Sequence, residues 1–172
     1  TEENTATGPV NSTLIDQESF EGTWLPAGWS EIPGNSNWNK ENDQAYDMTY
    51  SADFDGWAQG RSGDLETPDL DCLDVDAIYL EFLYRDEGCD NNEFVLEYYD
   101  GTSWDVITDL GSTASEYQWL HYEAKITDSQ YFKSNFRIRW SAVDVEGGES
   151  AYVDFVALKK ESGGSNYELD LE

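Results

Sequence analysis

The sequence predicts an all-β sandwich, and three observations carry this prediction. Apolar side chains recur at every second position in residues 77–85 and again in 93–99, which is the period of a strand with one buried face. Asp100-Gly101 follows the second run and is a typical hairpin turn. The chain contains 7 Trp, 11 Tyr and 7 Phe against one Met, a composition that favours sheets over helices.

The remaining elements follow from the same criteria, taken along the chain. Residues 14–16 begin a strand, and a proline-glycine turn precedes Trp29. The polar residues 31–42 are predicted to form a loop that carries Trp38, and the acidic residues 53–56 a turn. Further strands are predicted at 45–50, from Trp104 onward, at 120–124, at 136–140 and at 151–158.

Composition divides the chain into an N-terminal arm at 1–13, the sandwich at 14–160, and a linker with a short strand at 161–172. The arm is small and polar, and the Gly-Gly-Ser linker is typical of a flexible tether. Beyond the linker, apolar and acidic residues alternate as in a strand with one apolar face. Such a strand completes its own sheet, adds to the open edge of a neighbouring subunit, or stays disordered. Its apolar residues are Tyr167, Leu169 and Leu171.

The charge of the chain limits its partners. There are 37 acidic residues against 9 basic ones, a formal net charge of −28, which repels nucleic acids and anionic membrane surfaces. No apolar run approaches the roughly 20 residues that span a bilayer, so we expect no membrane insertion. A high-salt habitat, the binding of divalent cations and simple solvation each explain such acidity.

The two cysteines, Cys72 and Cys89, bracket the strand at 77–85. The absence of CxxC pairs favours a disulfide over zinc, and a disulfide would place the protein in an extracellular setting. A fully extended strand would hold the two residues too far apart. The predicted disulfide therefore requires that the flanking loops fold back.

The order of several short motifs resembles that of MAM-like and cleaved-adhesin-type jelly-roll modules. These motifs are Phe20-Glu21-Gly22 with Leu25-Pro26-Ala27-Gly28-Trp29, then residues 65–71 (LETPDLD), and finally residues 151–156 (AYVDFV). The resemblance covers about residues 14–160. It implies a two-sheet antiparallel jelly roll on a secreted or cell-surface protein, without catalytic activity.

The same resemblance implies a structural calcium ion where the first and last strands meet. Glu21 and Asp154 match the acidic residues expected there. A second candidate calcium site is the loop that contains Asp86, Asp90, Asn92 and Glu93, because calcium takes six to eight oxygen ligands. Each of these carboxylates is also interpretable as a solvated surface charge.

Other chemistry is weakly represented. His121 is the single histidine, and since no nucleophile motif accompanies it we interpret it as a strand residue and expect no enzyme. Trp38 and Trp57 fall in polar stretches rich in Asn or Gly. Their indoles either stack on sugar rings or cap the ends of the sandwich under long loops.

These observations favour a non-catalytic extracellular β-sandwich that binds calcium and self-assembles into a surface layer or filament by strand addition between subunits. The alternative is a carbohydrate-binding or adhesion module of a larger secreted protein. In the first hypothesis the chain's partner is a second copy of itself, and in the alternative the partner is a glycan.

Overall fold

The computed structural model describes residues 12–111 and 113–162, which form an all-β sandwich. A single short 3-10 turn, Ser129–Tyr131, accompanies the strands of the described chain. The eleven strands are β1 (Ser12–Glu18), β2 (Ser30–Ile32), β3 (Trp38–Glu41), β4 (Ser51–Asp55), β5 (Arg61–Glu66), β6 (Val75–Glu87), β7 (Phe94–Tyr99), β8 (Trp104–Asp109), β9 (Trp119–Ile126), β10 (Arg137–Val145) and β11 (Ser150–Ser162).

The strands form two sheets, and the pairings between named strands are all antiparallel. One sheet has the order β3-β4-β11-β6-β9, with β1 also paired to β11, and the other has the order β2-β5-β10-β7-β8. β11 is central to the larger sheet because it pairs with β6 on one edge and with β4 and β1 in succession on the other. The predicted two-sheet antiparallel jelly-roll class is confirmed.

Alternate residues of both sheets meet in an aromatic core. The ring of Trp140 on β10 lies parallel to that of Trp29 at 5.9 Å, and the ring of Phe82 on β6 meets it edge-on at 5.2 Å. Phe54, Leu65 and the other inward side chains are fully buried around these rings. This contact between the sheets fixes which face of each sheet is left outside.

The structure differs from the predictions for residues 31–56, where two strands of the larger sheet lie. Residues 45–50 form a bent loop, whereas the predicted turn at 53–56 belongs mostly to β4. Trp38 was predicted on a polar loop but begins β3, is 1% exposed, and donates its Nε1–H to the carbonyl of Gly63 at 2.9 Å. Phe54 packs against it at 5.5 Å, so Trp38 is a core residue and its prediction as a sugar contact is wrong.

The predicted disulfide is also wrong, since Cys72 and Cys89 are both free and buried. They lie beyond opposite ends of β6, whose 13 residues run about 40 Å at roughly 3.3 Å per residue. The flanking loops do not fold back far enough to bridge that length. Burial raises the pKa of the Cys72 thiol to about 12, so this sulfur is a core thiol with no thiolate character.

The described chain begins on β1 and ends on β11, and these two strands pair with each other. β1 begins at Ser12 opposite Glu161, and β11 ends at Ser162. The predicted strand with Tyr167, Leu169 and Leu171 lies outside the described residues, as does most of the predicted arm. None of the described residues forms a helix with the length and hydropathy needed to cross a bilayer.

Candidate functional site

Trp57 is the exposed aromatic residue that the sequence singled out for ligand binding. It lies in the loop between β4 and β5, where its N–H donates to the carbonyl of Val145 at 3.3 Å and its carbonyl accepts from Gly60 at 2.7 Å. The residue is 58% exposed, and the guanidinium of Arg61 lies 4.8 Å from its ring centroid. A fixed backbone and one covered ring face leave a flat apolar surface for a ligand.

A groove on the outer face of the larger sheet is a second candidate surface, with a volume of about 550 Å³. It follows β6 between β9 and β11 and contains the small residues Ala124 and Ala157. Tyr79 donates its hydroxyl hydrogen to Glu161 at 2.5 Å, and Lys125 lies 5.2 Å from its ring. The other lining residues are Leu80, Glu81, Glu123 and Lys159.

His121 lies beside this groove, close to the two glutamates that line it. Its Nε2 is 3.5 Å from Glu81 and its Nδ1 is 3.8 Å from Glu123. All three side chains project from neighbouring strands on an open face. The position agrees with the interpretation of His121 as a strand residue.

The outer face of the smaller sheet carries a charge network that the sequence reasoning missed. Arg139 on β10 lies between Glu97, to which it donates a hydrogen bond, and Asp64 at 3.2 Å. Arg137 binds the buried Glu66 at 2.9 Å, and burial raises the pKa of that carboxyl even though both arginines oppose the shift. The alternation Arg-Ile-Arg in the predicted strand was the available signal, because it places both guanidiniums on one face.

Glu21, three residues beyond the end of β1, and Asp154 on β11 both accept hydrogen bonds from the β3–β4 loop. Glu21 Oε1 accepts the amides of Thr49 and Tyr50 at 2.8 and 2.7 Å. Asp154 Oδ2 accepts the amides of Tyr46 and Asp47, both at 2.9 Å. Burial raises the pKa of Asp154, and the four amides supply positive dipoles to both carboxylates.

Lys40 adds a full positive charge to the same region. Its ammonium donates to the carbonyls of Glu21, at 2.8 Å, and of Gly22. Amides and an ammonium thus already satisfy oxygens that a calcium ion would take as ligands, which makes this a poor fit for the ion. Calcium at Glu21 and Asp154 stays a prediction.

The residues of the second predicted calcium site have different partners in the structure. Asp86 turns inward, where its Oδ1 accepts the amide of Cys89 at 2.9 Å. Asn92 donates its backbone amide to Asp109 at 2.7 Å. Asp90 and Glu93 instead meet Glu149, with one carboxylate oxygen from each within 4.8 Å of the others.

This regrouped set of Asp90, Glu93 and Glu149 fits a hard cation better than the predicted one. Burial raises the pKa of Glu93, and the adjacent charges of Glu149 and Asp90 add to that shift. Glu149 comes from the β10–β11 loop, more than fifty positions away in the sequence, and only the acidic composition of that loop pointed to it. Calcium at this loop also stays a prediction.

Comparison with solved structures places the fold among adhesin domains and carbohydrate-binding modules. The K3 cleaved adhesin domain of Lys-gingipain from Porphyromonas gingivalis superposes with a TM-score of 0.61 at 14% identity, over 88% of this chain and 99% of that one. The CBM22-1 xylan-binding domain of Xyn10C from Paenibacillus barcinonensis has a TM-score of 0.60 at 12% identity, over 89% and 97%. TmCBM61, solved in complex with β-1,4-galactotriose, has a TM-score of 0.59 at 16% identity, over 83% and 94%.

These similarities concern the fold, since every identity is far below the level at which function is shared reliably. No protein-family model matches the chain, and no curated protein sequence matches it significantly. The resemblance to cleaved-adhesin-type jelly-roll modules is confirmed at the level of architecture. Adhesin domains and carbohydrate-binding modules therefore share one scaffold with this chain.

Proposed function

We propose that this protein is a non-catalytic, extracellular carbohydrate-binding or adhesion module. The single observation that carries the proposal is the exposed indole of Trp57, whose backbone is hydrogen-bonded and whose ring faces Arg61. Flat aromatic surfaces bind the apolar faces of sugar rings while neighbouring polar groups bind the hydroxyls. The fold is compatible with this role, because several solved structures of similar architecture are carbohydrate-binding modules.

The charge of the chain narrows the class of glycan. A net charge of −28 repels uronic acids and sulfated sugars over about a Debye length. The ligand is accordingly a neutral polysaccharide. Arg61, beside the indole, then donates hydrogen bonds to hydroxyl and ring oxygens instead of pairing with an acidic group.

The test is a Trp57→Ala variant assayed on a panel of neutral and acidic polysaccharides. We expect binding of the wild type to a neutral member of the panel, and a loss of about tenfold or more in affinity for the variant. Its melting temperature should stay unchanged, because the indole contributes little to the core. Tyr117→Ala, which removes another aromatic residue that is 53% exposed, is the matched control and should bind normally.

Two results would contradict this proposal. If the wild-type protein binds no member of the panel, glycan recognition is excluded. If Trp57→Ala binds as well as the wild type, Trp57 is not the glycan contact. A Tyr79→Ala variant then tests whether the groove on the larger sheet is the binding surface.

Calcium-dependent self-assembly is the second candidate function. Its favouring observation is that the edge strands β2 and β8 of the smaller sheet, and β3 and β9 of the larger, each pair with one strand among the described residues. Open edges accept an added strand from another chain. The strand with Tyr167, Leu169 and Leu171 remains the predicted donor.

A further inference from the structure

Glu81, His121 and Glu123 form a cluster on the outer face of the larger sheet that the proposed glycan binding by Trp57 does not use. Glu81 lies on β6, and the other two residues lie on the neighbouring edge strand β9. One nitrogen or oxygen atom from each of the three side chains lies within 4.8 Å of the other two. Because both strands belong to the sheet, their backbones hold the cluster more precisely than a loop would.

The register of β6 and β9 brings like charges together. Glu81 is the register partner of Glu123, so the two carboxylates lie directly opposite each other. His121 precedes Glu123 by two positions and therefore projects from the same face. Like charges directly opposite on paired strands are destabilising. The two glutamates therefore favour a cation between them.

The protein itself supplies little positive charge to these glutamates. Among the described residues, each of the two has His121 as its one ion partner. Lys125, the next outward residue on β9, instead lies 3.5 Å from Glu161 and 5.2 Å from the centroid of the Tyr79 ring. The charge balance of the cluster thus depends on a single imidazole.

A neutral imidazole cannot satisfy both carboxylates. Nε2 of His121 is 3.5 Å from Glu81, and Nδ1 is 3.8 Å from Glu123. In the neutral ring one nitrogen donates a hydrogen bond, and the other has only a lone pair. That lone pair then faces a carboxylate, which also has only lone pairs to offer. An imidazole nitrogen beside two carboxylates is, however, a suitable ligand set for a divalent transition metal ion.

We propose that Glu81, His121 and Glu123 bind a zinc ion through one imidazole nitrogen and one oxygen of each glutamate. Zinc holds such ligands in a tetrahedron at about 2.0–2.2 Å, which places them about 3.4 Å from one another. Side chains whose ligand atoms already lie within 4.8 Å reach that spacing by small rotations, which their exposure on the sheet surface permits. Water takes the fourth position.

The histidine distinguishes this cluster from the acidic loops of the chain. Calcium and magnesium take oxygen ligands, whereas imidazole nitrogen suits zinc. Asp90, Glu93 and Glu149 offer carboxylate oxygens alone. Excess calcium should therefore compete with zinc at that carboxylate cluster but leave the histidine site to zinc.

Isothermal titration of the full chain with zinc chloride tests the proposal. The titration is run at about pH 7.5, where zinc ligands are largely deprotonated, and in a large excess of calcium chloride. We expect one equivalent of zinc to bind. His121→Gln should weaken that binding by about tenfold or more, since loss of even an outer-shell partner of a metal site has an effect of this size.

Variants of the carboxylates complete the assignment. Glu81→Gln and Glu123→Gln should each weaken zinc binding as well. Glu116→Gln removes the same charge from an exposed position between β8 and β9 and should bind zinc like the wild type. Equal zinc affinity in His121→Gln and wild type would overturn the proposal, as would a wild type that binds no zinc in the presence of calcium.

A second measurement decides the question even if a variant fails to fold. His121 is the single histidine of the chain, so the imidazole signals in the nuclear magnetic resonance spectrum of the wild-type protein belong to it alone. We expect one equivalent of zinc to shift these signals and the same concentration of calcium to leave them unchanged. Imidazole signals that zinc does not shift would show that the ion does not bind His121, and the proposal would then be wrong.

Discussion

Two buried tryptophans differ in whether the indole N–H is hydrogen-bonded. Trp38 and Trp140 are both completely buried. The Nε1–H of Trp38 donates to the carbonyl of Gly63 at 2.9 Å, whereas the Nε1–H of Trp140 has no partner among the described residues. Trp140 is held by ring contacts alone, and its unpaired N–H is a cost that the core tolerates.

The pair predicts an unequal response to the same substitution. Trp38→Phe leaves the Gly63 carbonyl without its donor, and Trp140→Phe removes an unpaired donor, while both lose similar volume. We expect Trp38→Phe to lower the free energy of unfolding by about 1–3 kcal/mol more than Trp140→Phe does. Urea denaturation of the two variants beside wild type measures the difference, and an equal or reversed order would contradict it.

The same residues mark the limit of sequence reasoning at this scale. Trp38 and Trp57 both lie in polar stretches, and only the pairing of β3 with β4 separates a core indole from an exposed one. β4 was missed because residues 53–56 are typical of an acidic turn. The alternation of Ala52 and Phe54 with two aspartates was the signal of a strand, but it spans too few residues to be decisive.

The loop between β3 and β4 shows how an element without regular structure is held. Its amides bind the carboxylates of Asp154 and Glu21, as four hydrogen bonds from two pairs of neighbouring residues. Asp154 is fully buried on β11 and also accepts the amide of Phe155 at 2.7 Å. These carboxylates order the β3–β4 loop.

Asp154→Ala should therefore release the loop. The substitution leaves three partly buried amides without their acceptor, and we expect a loss of about 3 kcal/mol in unfolding free energy. Chymotrypsin should cleave near Tyr46 or Tyr50 faster than in wild type. Glu21→Ala, whose amide bonds lie closer to the surface, is the comparison and should lose less; a loop equally resistant in Asp154→Ala would show that other contacts hold it.

Long strands were predicted from the sequence, whereas the short strands β2 and β3 were not. β6, β7 and β10 were found because their apolar residues repeat with period two, and β11 because it is a long run rich in strand-forming residues. β2 and β3 have three and four residues and carry mostly polar side chains, which gives no measurable period. The order of strands in the sheets was beyond reach, since β11 selects partners that are separated from it by most of the chain.

At the scale of the whole molecule, the excess of negative charge opposes any contact between copies. Several of the nine basic residues are already engaged, including Arg85, Arg137 and Arg139 in ion pairs. The open edge strands offer backbone groups to a second chain, but like charge holds two such chains apart at low salt. Divalent cations bound to surface carboxylates would reduce that repulsion.

Self-assembly should therefore depend on both calcium and the C-terminal segment. If Tyr167, Leu169 and Leu171 add to a neighbouring sheet, wild-type protein should scatter light as large particles in calcium and as a monomer in excess chelator. A chain ending at Ser162, which keeps β11 whole, should remain monomeric in both conditions with an unchanged melting temperature. Sodium chloride at matched ionic strength separates screening from ion binding, since screening alone would let it replace calcium. A wild-type protein that stays monomeric in calcium excludes assembly, and assembly of the shortened chain assigns the contact to another edge.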